Sequence, residues 1–235
     1  MKLSYDLHIH SCVSPCGNED MTPNNIVNMA YIKGLDIISV TDHNTSVHAA
    51  VIDKLASRLG ILAIPGMEVQ TREEVHILCY FPSVELIEKF DNKLTMYKSR
   101  LANNRKIFGA QPILDENDEA IGEIDIALIM SVDMELEGLF ELVSEFSGVM
   151  VPAHVNKNAN SILSNLGFIP PDMPIQCIEV HERTPVNERL LGSYKRLFNS
   201  DAHYLESINE AINFLDLKEK TVIALMDYLS GKDGI

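Results

Sequence analysis

Short apolar runs that alternate with helical patterns constrain the fold of this chain more than any other feature of its sequence. A helix is predicted between the first two runs, since Thr22 can cap it, Pro23 suits its first turn and Gly34 can end it. Apolar strands separated by crossover helices are typical of a parallel sheet covered by helices, and seven of them indicate a closed or nearly closed α/β barrel. The runs, of which the last is the weakest, span 3–9, 35–41, 61–69, 75–81, 149–153, 176–180, 196–200 and 211–215.

The stretch 82–148 interrupts this alternation. Residues 83–105 predict a long polar helix, 111–123 a hairpin around a polar turn, and 134–146 another helix. We therefore expect one barrel domain over 1–235, with an inserted helix and hairpin segment at 82–148.

The charge balance predicts which partners the chain avoids. Nineteen Lys and Arg against 34 Asp and Glu leave a formal net charge of -15, which would repel a long nucleic acid. No apolar run approaches the roughly 20 residues of a membrane span, and Met1 leads straight into a strand-like run without a signal-peptide pattern. The four cysteines show no paired CxxC spacing, which favours free thiols in a reducing compartment. We expect a cytoplasmic protein with no membrane partner.

Ionisable side chains follow the predicted strands. His8 and His10 stand two residues apart on a strand, so both leave the same face and can bind one ion. Loops at the carboxyl ends of the strands form the active site of an α/β barrel, and burying so many ionisable groups without partners would cost several kcal/mol. A functional site is therefore favoured over a purely structural core. The six histidines and two carboxylates placed at this end are His8, His10, His43, His76, His154, His203, Glu68 and Asp201.

Imidazole and carboxylate ligands suit divalent zinc, manganese or iron, and eight of them exceed what one tetrahedral ion uses. At least two ions are implied, and Glu68 can bridge them. Such a pair can generate a hydroxide nucleophile and stabilise the oxygens of a phosphoryl displacement. The ligands alone leave open hydrolysis of an amide or a cyclic ester. A non-catalytic regulatory module that binds metal is the alternative from another functional class.

Six motifs in order resemble those of the polymerase and histidinol phosphatase (PHP) superfamily of metal-dependent phosphoesterases, over residues 3–203. The resemblance implies a distorted seven-stranded (β/α) barrel with two or three divalent ions at its carboxyl-terminal rim. It also implies hydrolysis of a phosphomonoester or a short nucleotide. The motifs are DLHIHS, GLDIISVTDHNT, PGMEV, EVHILCYF, VPAHV and NSDAH.

The resemblance also implies a ligand set. A third ion would take His43, His203 and a residue of the loop after His10, where relatives carry an Asp or a His and this chain carries Cys16. Cys16 is the predicted ligand, as a thiolate that favours zinc or iron, with Glu19 and Asp20 as alternatives. The first two ions would be held by His8, His10, Glu68 and Asp201, and by Glu68, His76 and His154.

Catalytic roles are predicted for Glu68, Asp201 and His203, and substrate-binding roles for the rim cations Lys157 and Arg183. Either cation can equally be a solvated surface charge. The net charge and the insert favour a small phosphorylated substrate, and a 3'-5' exonuclease or an amidohydrolase is the alternative. Glu179 can orient a water or serve only the strand end, while His48 is expected on an exposed helix. The sequence leaves the substrate, the physiological metal and the oligomeric state open.

Overall fold

The computed structural model describes residues 1–232 of the chain. Three short 3-10 helices cover Thr95–Tyr97, Glu188–Leu190 and Leu205–Ser207. The strands are β1 (Lys2–Ile9), β2 (Ile37–Val40), β3 (Leu62–Ala63), β4 (Gly66–Gln70), β5 (His76–Tyr80), β6 (Pro112–Leu114), β7 (Ala120–Glu123), β8 (Val149–Pro152), β9 (Cys177–Glu179), β10 (Lys195–Leu197) and β11 (Phe214–Asp216). The helices are α1 (Pro23–Ile32), α2 (Ala49–Arg58), α3 (Val84–Leu94), α4 (Arg105–Phe108), α5 (Leu136–Glu145), α6 (Ile162–Asn165) and α7 (Val222–Leu229).

The strands form four separate hydrogen-bonded sheets, ordered β11-β1-β2-β3, β4-β5-β8, β9-β10 and β6-β7. The predicted mixed α/β fold is confirmed, but within residues 1–232 the hydrogen bonding closes no seven-stranded barrel. β1, β2 and β3 run parallel as predicted, whereas β4, β5 and β8 pair antiparallel. Only residues 71–75 join β4 to β5, and a parallel crossover needs a dozen or more residues.

Isolated bridges connect the separate sheets at one end. Ile9 pairs with Ala202, and His43 pairs with Glu68. An added Cβ at Gly66 would overlap Ser39 Oγ, so only glycine lets β4 begin this close to β2. The bridges bring the ends of β1, β2 and β4 to one place, where the ionisable residues lie.

The helix predicted from Thr22 to Gly34 is confirmed as α1. The Thr22 hydroxyl accepts a hydrogen bond from Asn25 N, which satisfies one of the free amides of the first turn. Ile26 and Ala30 are buried on one face of the helix. Gly34 follows its end with a φ of 74°, in the left-handed region that glycine tolerates best.

The stretch 82–148 contains α3, α4, the β6-β7 hairpin and α5. The predicted hairpin and second helix form, but α3 ends at Leu94 and the predicted continuation to residue 105 is wrong. Thr95 opens a 3-10 turn there, after which Lys98 folds back to pair with Asp91. The boundaries of the insert stay a prediction.

Apolar side chains pack beneath the ionisable end of the sheets. Along β4, Met67 and Val69 are fully buried in the core, while Glu68 between them points to the opposite face. The rings of Phe81 and Phe90 pack with centroids 4.7 Å apart and connect this core to α3. No helix within residues 1–232 has the length and apolar character that a bilayer crossing requires.

Candidate metal centre

One buried carboxylate lies at the middle of the site. Glu68 is 1% exposed, and β4 directs it toward the end where the sheets meet. Its two oxygens lie 2.9 to 3.4 Å from an imidazole nitrogen of each of five histidines. A single carboxylate in contact with five imidazoles can bridge several ions. The five are His8, His10, His43, His76 and His154.

Asp201 provides a second carboxylate. Its Oδ1 lies 3.3 Å from His8 Nε2 and 3.2 Å from His10 Nε2, and its Oδ2 accepts from Lys157 Nζ. Its backbone adopts a φ of 52°, an uncommon conformation for a residue other than glycine. The structure thus places Lys157 against a predicted ligand, where its charge partly neutralises the site.

The predicted ligands form overlapping sets in which one donor atom from each residue lies within 4.8 Å of the others. His43 lies in the set with His10 and Glu68, whereas His203 lies with His10 and Cys16. Cys16, and neither Glu19 nor Asp20, enters a set among the described residues. The four sets are His10, Cys16 and His203; His8, His10 and Asp201; His10, His43 and Glu68; and Glu68, His76 and His154.

The donor atoms fit divalent ions. Within residues 1–232, Nε2 of His76 and Nδ1 of His154 are buried without a hydrogen-bond partner. Leaving such groups unsatisfied costs about 1 to 3 kcal/mol each. A cation bound among nitrogen and oxygen donors would remove that cost.

The two carboxylates attract positive charge. Burial alone would raise the pKa of Glu68, but the surrounding imidazoles outweigh burial and hold that pKa well below its usual range. Burial alone would lower the pKa of His10, but hydrogen bonds to Asp201 and Glu68 raise it to about 9. In the metal-free protein, protons on His10 and on the similarly shifted His8 therefore occupy the place of metal charge.

His203, which is more exposed than His10, has a lowered pKa. Burial, together with the charge on His10, lowers the pKa of His203 to about 4. Burial also raises the pKa of the Cys16 thiol, and the charges of Glu68 and Asp201 add to the effect. At neutral pH His203 is therefore ready to bind a cation, whereas Cys16 must first lose a proton.

Glu179 contacts the ring nitrogen of His8 that faces away from Glu68. Its Oε2 lies 2.8 Å from His8 Nδ1 and accepts from Asn199 Nδ2 at 3.0 Å, and its Oε1 accepts from His154 N at 3.1 Å. A carboxylate at Nδ1 keeps the proton there, so that Nε2 faces the centre. This contact favours a role in positioning His8, which is neither of the two roles left open by the sequence, and the place of Glu179 at the end of β9 was the sole sequence signal.

Asp42 holds the loop after His10 and does not orient its neighbour His43. Its Oδ1 accepts from Ser11 N at 2.7 Å and from Ser14 Oγ at 2.6 Å, and the Ser14 hydroxyl lies 3.2 Å from His10 Nδ1. His48 is 1% exposed and its Nε2 accepts from Leu114 N at 3.0 Å, so the prediction of an exposed His48 is wrong.

A polar cavity of about 600 Å³ opens beside the site. Arg183, the other predicted substrate-binding cation, lines it, as do Asp201, His203 and the exposed ring of Tyr204. His181 also lines this cavity, and its Nδ1 lies 2.8 Å from Thr184 Oγ1. The cavity gives a substrate a route to the more exposed ligands.

Known proteins resemble the chain in part. No family model matches it. A 5'-3' exoribonuclease from Haemophilus influenzae is 32% identical over 81 residues, which are 33% of this chain and 28% of the relative. The structure of Endonuclease Q from Pyrococcus furiosus matches with a TM-score of 0.73 and 20% identity, over 98% of this chain and 56% of the endonuclease.

The structure of a metal-dependent phosphoesterase candidate from Bifidobacterium adolescentis matches with a TM-score of 0.63 and 18% identity, over 94% of this chain and 95% of that protein. The chain has the same fold as these two structures. The resemblance of the six motifs is confirmed at the level of this fold. The chain spans about a quarter of the exoribonuclease and about half of Endonuclease Q.

The prediction of a small phosphorylated substrate, with no long nucleic acid, is contradicted. Another Endonuclease Q structure holds a 27-mer duplex substrate with an abasic lesion at the active site, and this chain matches it with a TM-score of 0.71 and 20% identity, over 98% of this chain and 57% of the endonuclease. The prediction rested on the net charge, which averages over the whole surface. Because salt screens charges beyond about 10 Å, the field at a site depends on the groups near it.

Proposed function

We propose that this chain is a metal-dependent hydrolase that cleaves phosphodiester bonds of nucleic acid. The observation that carries the proposal is Glu68, a buried carboxylate within 3.4 Å of five imidazoles, beside a polar cavity lined by Asp201 and His203. The matches to Endonuclease Q and to the exoribonuclease support nucleic acid as the substrate class.

The predicted ligands would hold the ions in overlapping sets. Glu68 belongs to both fully buried sets and would hold the ions of both, while Asp201 would complete the set with His8 and His10. When bound, such paired divalent ions supply Lewis-acid stabilisation of the charge that develops on the phosphate oxygens and lower the pKa of the attacking water. Zinc, manganese and iron all suit this donor set, in two or three sites.

The chain's own residues bind and orient the phosphate. Arg183 lies on the cavity wall, where its planar guanidinium can hydrogen-bond two phosphate oxygens. Lys157 neutralises Asp201, which lowers the repulsion between that carboxylate and an incoming anion. His203, neutral at pH 7 because its pKa is about 4, offers a nitrogen lone pair and adds no positive charge.

Hydrolysis of a defined substrate panel tests the proposal. Protein loaded with manganese should cleave oligonucleotides of about 20 nucleotides and the small diester bis-p-nitrophenyl phosphate. The same preparation should leave a p-nitroanilide amide intact. Glu68→Gln should abolish both diester activities, while the exposed Glu137→Gln on α5 should match the wild type. Turnover of the amide without any diester cleavage would contradict the proposal.

A further inference from the structure

Basic residues concentrate in one stretch of this acidic chain. Residues 92–114 contain five of the 19 Lys and Arg and no Asp or Glu, although the whole chain carries a net charge of -15. The stretch runs from α3 to the first strand of the hairpin. Its charge is therefore opposite in sign to that of the rest of the molecule. The five are Lys93, Lys98, Arg100, Arg105 and Lys106.

Two of these cations are free for a ligand. Lys93 pairs with Glu145, Lys98 with Asp91 and Arg105 with Glu123. Within residues 1–232, the side chains of Arg100 and Lys106 make no ion pair or hydrogen bond, and both are exposed. An exposed cation without an acidic partner binds an external anion without first breaking an internal pair.

The end of the segment lies near the metal centre. An added Cβ at Gly109 would lie 4.0 Å from the carbonyl oxygen of Pro15, the residue before Cys16. Asn103 N donates to Asp125 O at 2.7 Å, and Asn103 Nδ2 donates to Gly109 O at 3.0 Å. These bonds connect Asn103 to Gly109, which in turn lies close to the loop that carries a predicted metal ligand.

We propose that residues 98–109, the basic segment, bind the phosphate backbone of a nucleic acid strand through Arg100 and Lys106. This inference rests on the proposed function, because it supplies a path for a strand whose scissile phosphate reaches the ions. Backbone contacts of this kind position a polyanion without reading its sequence. They also explain how a chain with a net charge of -15 binds nucleic acid.

A membrane surface fits the segment less well. Leu101 and Ile107 are exposed near the cations. Membrane-binding helices likewise combine exposed apolar side chains with basic ones. However, α4 has four residues and is too short to present an amphipathic face. By contrast, the closeness of Gly109 to the carbonyl oxygen of Pro15 places the basic segment beside the predicted chemistry of phosphate cleavage.

A charge-matched pair of variants tests the basic segment. Arg100→Gln/Lys106→Gln removes its two unpaired cations, and Lys54→Gln/Lys89→Gln removes two exposed cations on α2 and α3. Binding of a phosphorothioate oligonucleotide of about 20 nucleotides to the metal-loaded protein is measured by fluorescence anisotropy over a range of salt concentrations. Loss of two phosphate contacts should lower the slope of log Kd against log salt by about 1.8 for a duplex, and the control should keep the wild-type slope.

Hydrolysis of bis-p-nitrophenyl phosphate separates the two proposals. That small diester needs the metal centre but no backbone contact, so both double variants should cleave it at the wild-type rate. Wild-type oligonucleotide binding by Arg100→Gln/Lys106→Gln overturns the proposal for the basic segment alone. So does a complete lack of oligonucleotide binding by the wild type and both double variants, if all three still cleave the small diester. No cleavage by any protein overturns the proposed function. Sedimentation with phosphatidylserine vesicles that depends on Arg100 and Lys106, with oligonucleotide binding unchanged, assigns the segment to a membrane and also overturns the inference.

Discussion

The two ends of the metal centre differ in how the chain holds them. Glu68, His76 and His154 are buried and lie on β4, at the start of β5 and just after β8, so an antiparallel sheet fixes their spacing. Cys16 and His203 are partly exposed and lie on loops beside the cavity. We name the first set the deep end and the set of His10, Cys16 and His203 the open end. The contrast is one of architecture, since an antiparallel sheet positions the deep end and loops position the open end.

Backbone strain is common to both ends. His154 in the deep end has a φ of 27°, and Asp201 beside the open end has a φ of 52°. Such conformations cost about 1 to 3 kcal/mol each and persist where the surrounding structure enforces them.

Glu68→Gln should have the largest effect, because this side chain belongs to the deep end and also contacts His10 and His43. We expect a loss of more than about 100-fold in kcat/KM on the small diester, beyond what loss of a residue that only orients a ligand costs. Elemental analysis should show loss of metal from the whole centre. Wild-type metal content in this variant would show that Glu68 bridges nothing.

His154→Ala and His203→Ala compare the two ends directly. The deep-end variant should lose one ion per chain and nearly all turnover, because no water-accessible group can replace a buried ligand. The open-end variant should keep the deep ion and retain part of the activity, since solvent can fill the vacated position. Equal losses of metal and turnover in the two variants would remove the distinction between the ends.

Glu179→Gln should weaken metal binding by about 10- to 100-fold, because it disturbs the proton on His8 Nδ1 without removing a ligand. Glu182→Gln, an exposed carboxylate on the same side of the cavity, is the matched control. Isothermal titration calorimetry with manganese measures the metal affinity of both variants. An unchanged affinity for Glu179→Gln would leave that carboxylate a purely structural role.

Metal affinity should increase with pH. The pKa of His10 is about 9 in the metal-free protein against an ordinary 6.5, so binding must displace its proton anywhere below pH 9. Each displaced proton strengthens binding by up to about tenfold per pH unit between about pH 7 and about pH 9. The stability of the metal-free protein should show the opposite pH dependence. The contribution of protonated His10 to that stability is present in full below pH 6.5 and is lost as the pH rises through 9. Titrations in two buffers of different ionisation enthalpy count the released protons, and a pH-independent affinity would contradict the shift.

Cys16→Ser should have the smallest effect, and it should be confined to the open end. A hydroxyl replaces a soft sulfur donor, so zinc binding there should weaken relative to manganese by a few-fold. Competition between the two metals, followed by elemental analysis, measures the ratio. A changed deep-end occupancy would show that the two ends are not independent.

The sequence predicted the ionisable cluster better than the framework around it. The pairing of His8 and His10 could be predicted from strand periodicity, and the placement of His154 from its position just after a strand, because these rules are local. Glu68 was predicted at a strand end, whereas it lies within β4. The contacts of Glu179, with His8 171 residues away and Asn199 20 residues away, depend on how distant elements pack, which no local pattern encodes. The antiparallel pairing of β4 with β5 was missed because apolar content alone does not give strand direction.

The hairpin has a consequence for how the chain folds. Asp118, in the turn between β6 and β7, accepts hydrogen bonds from the Thr22 hydroxyl and from Asn24 N, 94 residues away. The first turn of α1 therefore stays incompletely capped until the hairpin docks. Such a long-range contact forms slowly, because a large loop must close before it is made. The amide of Asn24 should therefore report on the docking of the hairpin during folding, because it gains protection from hydrogen exchange only when the two distant segments have met.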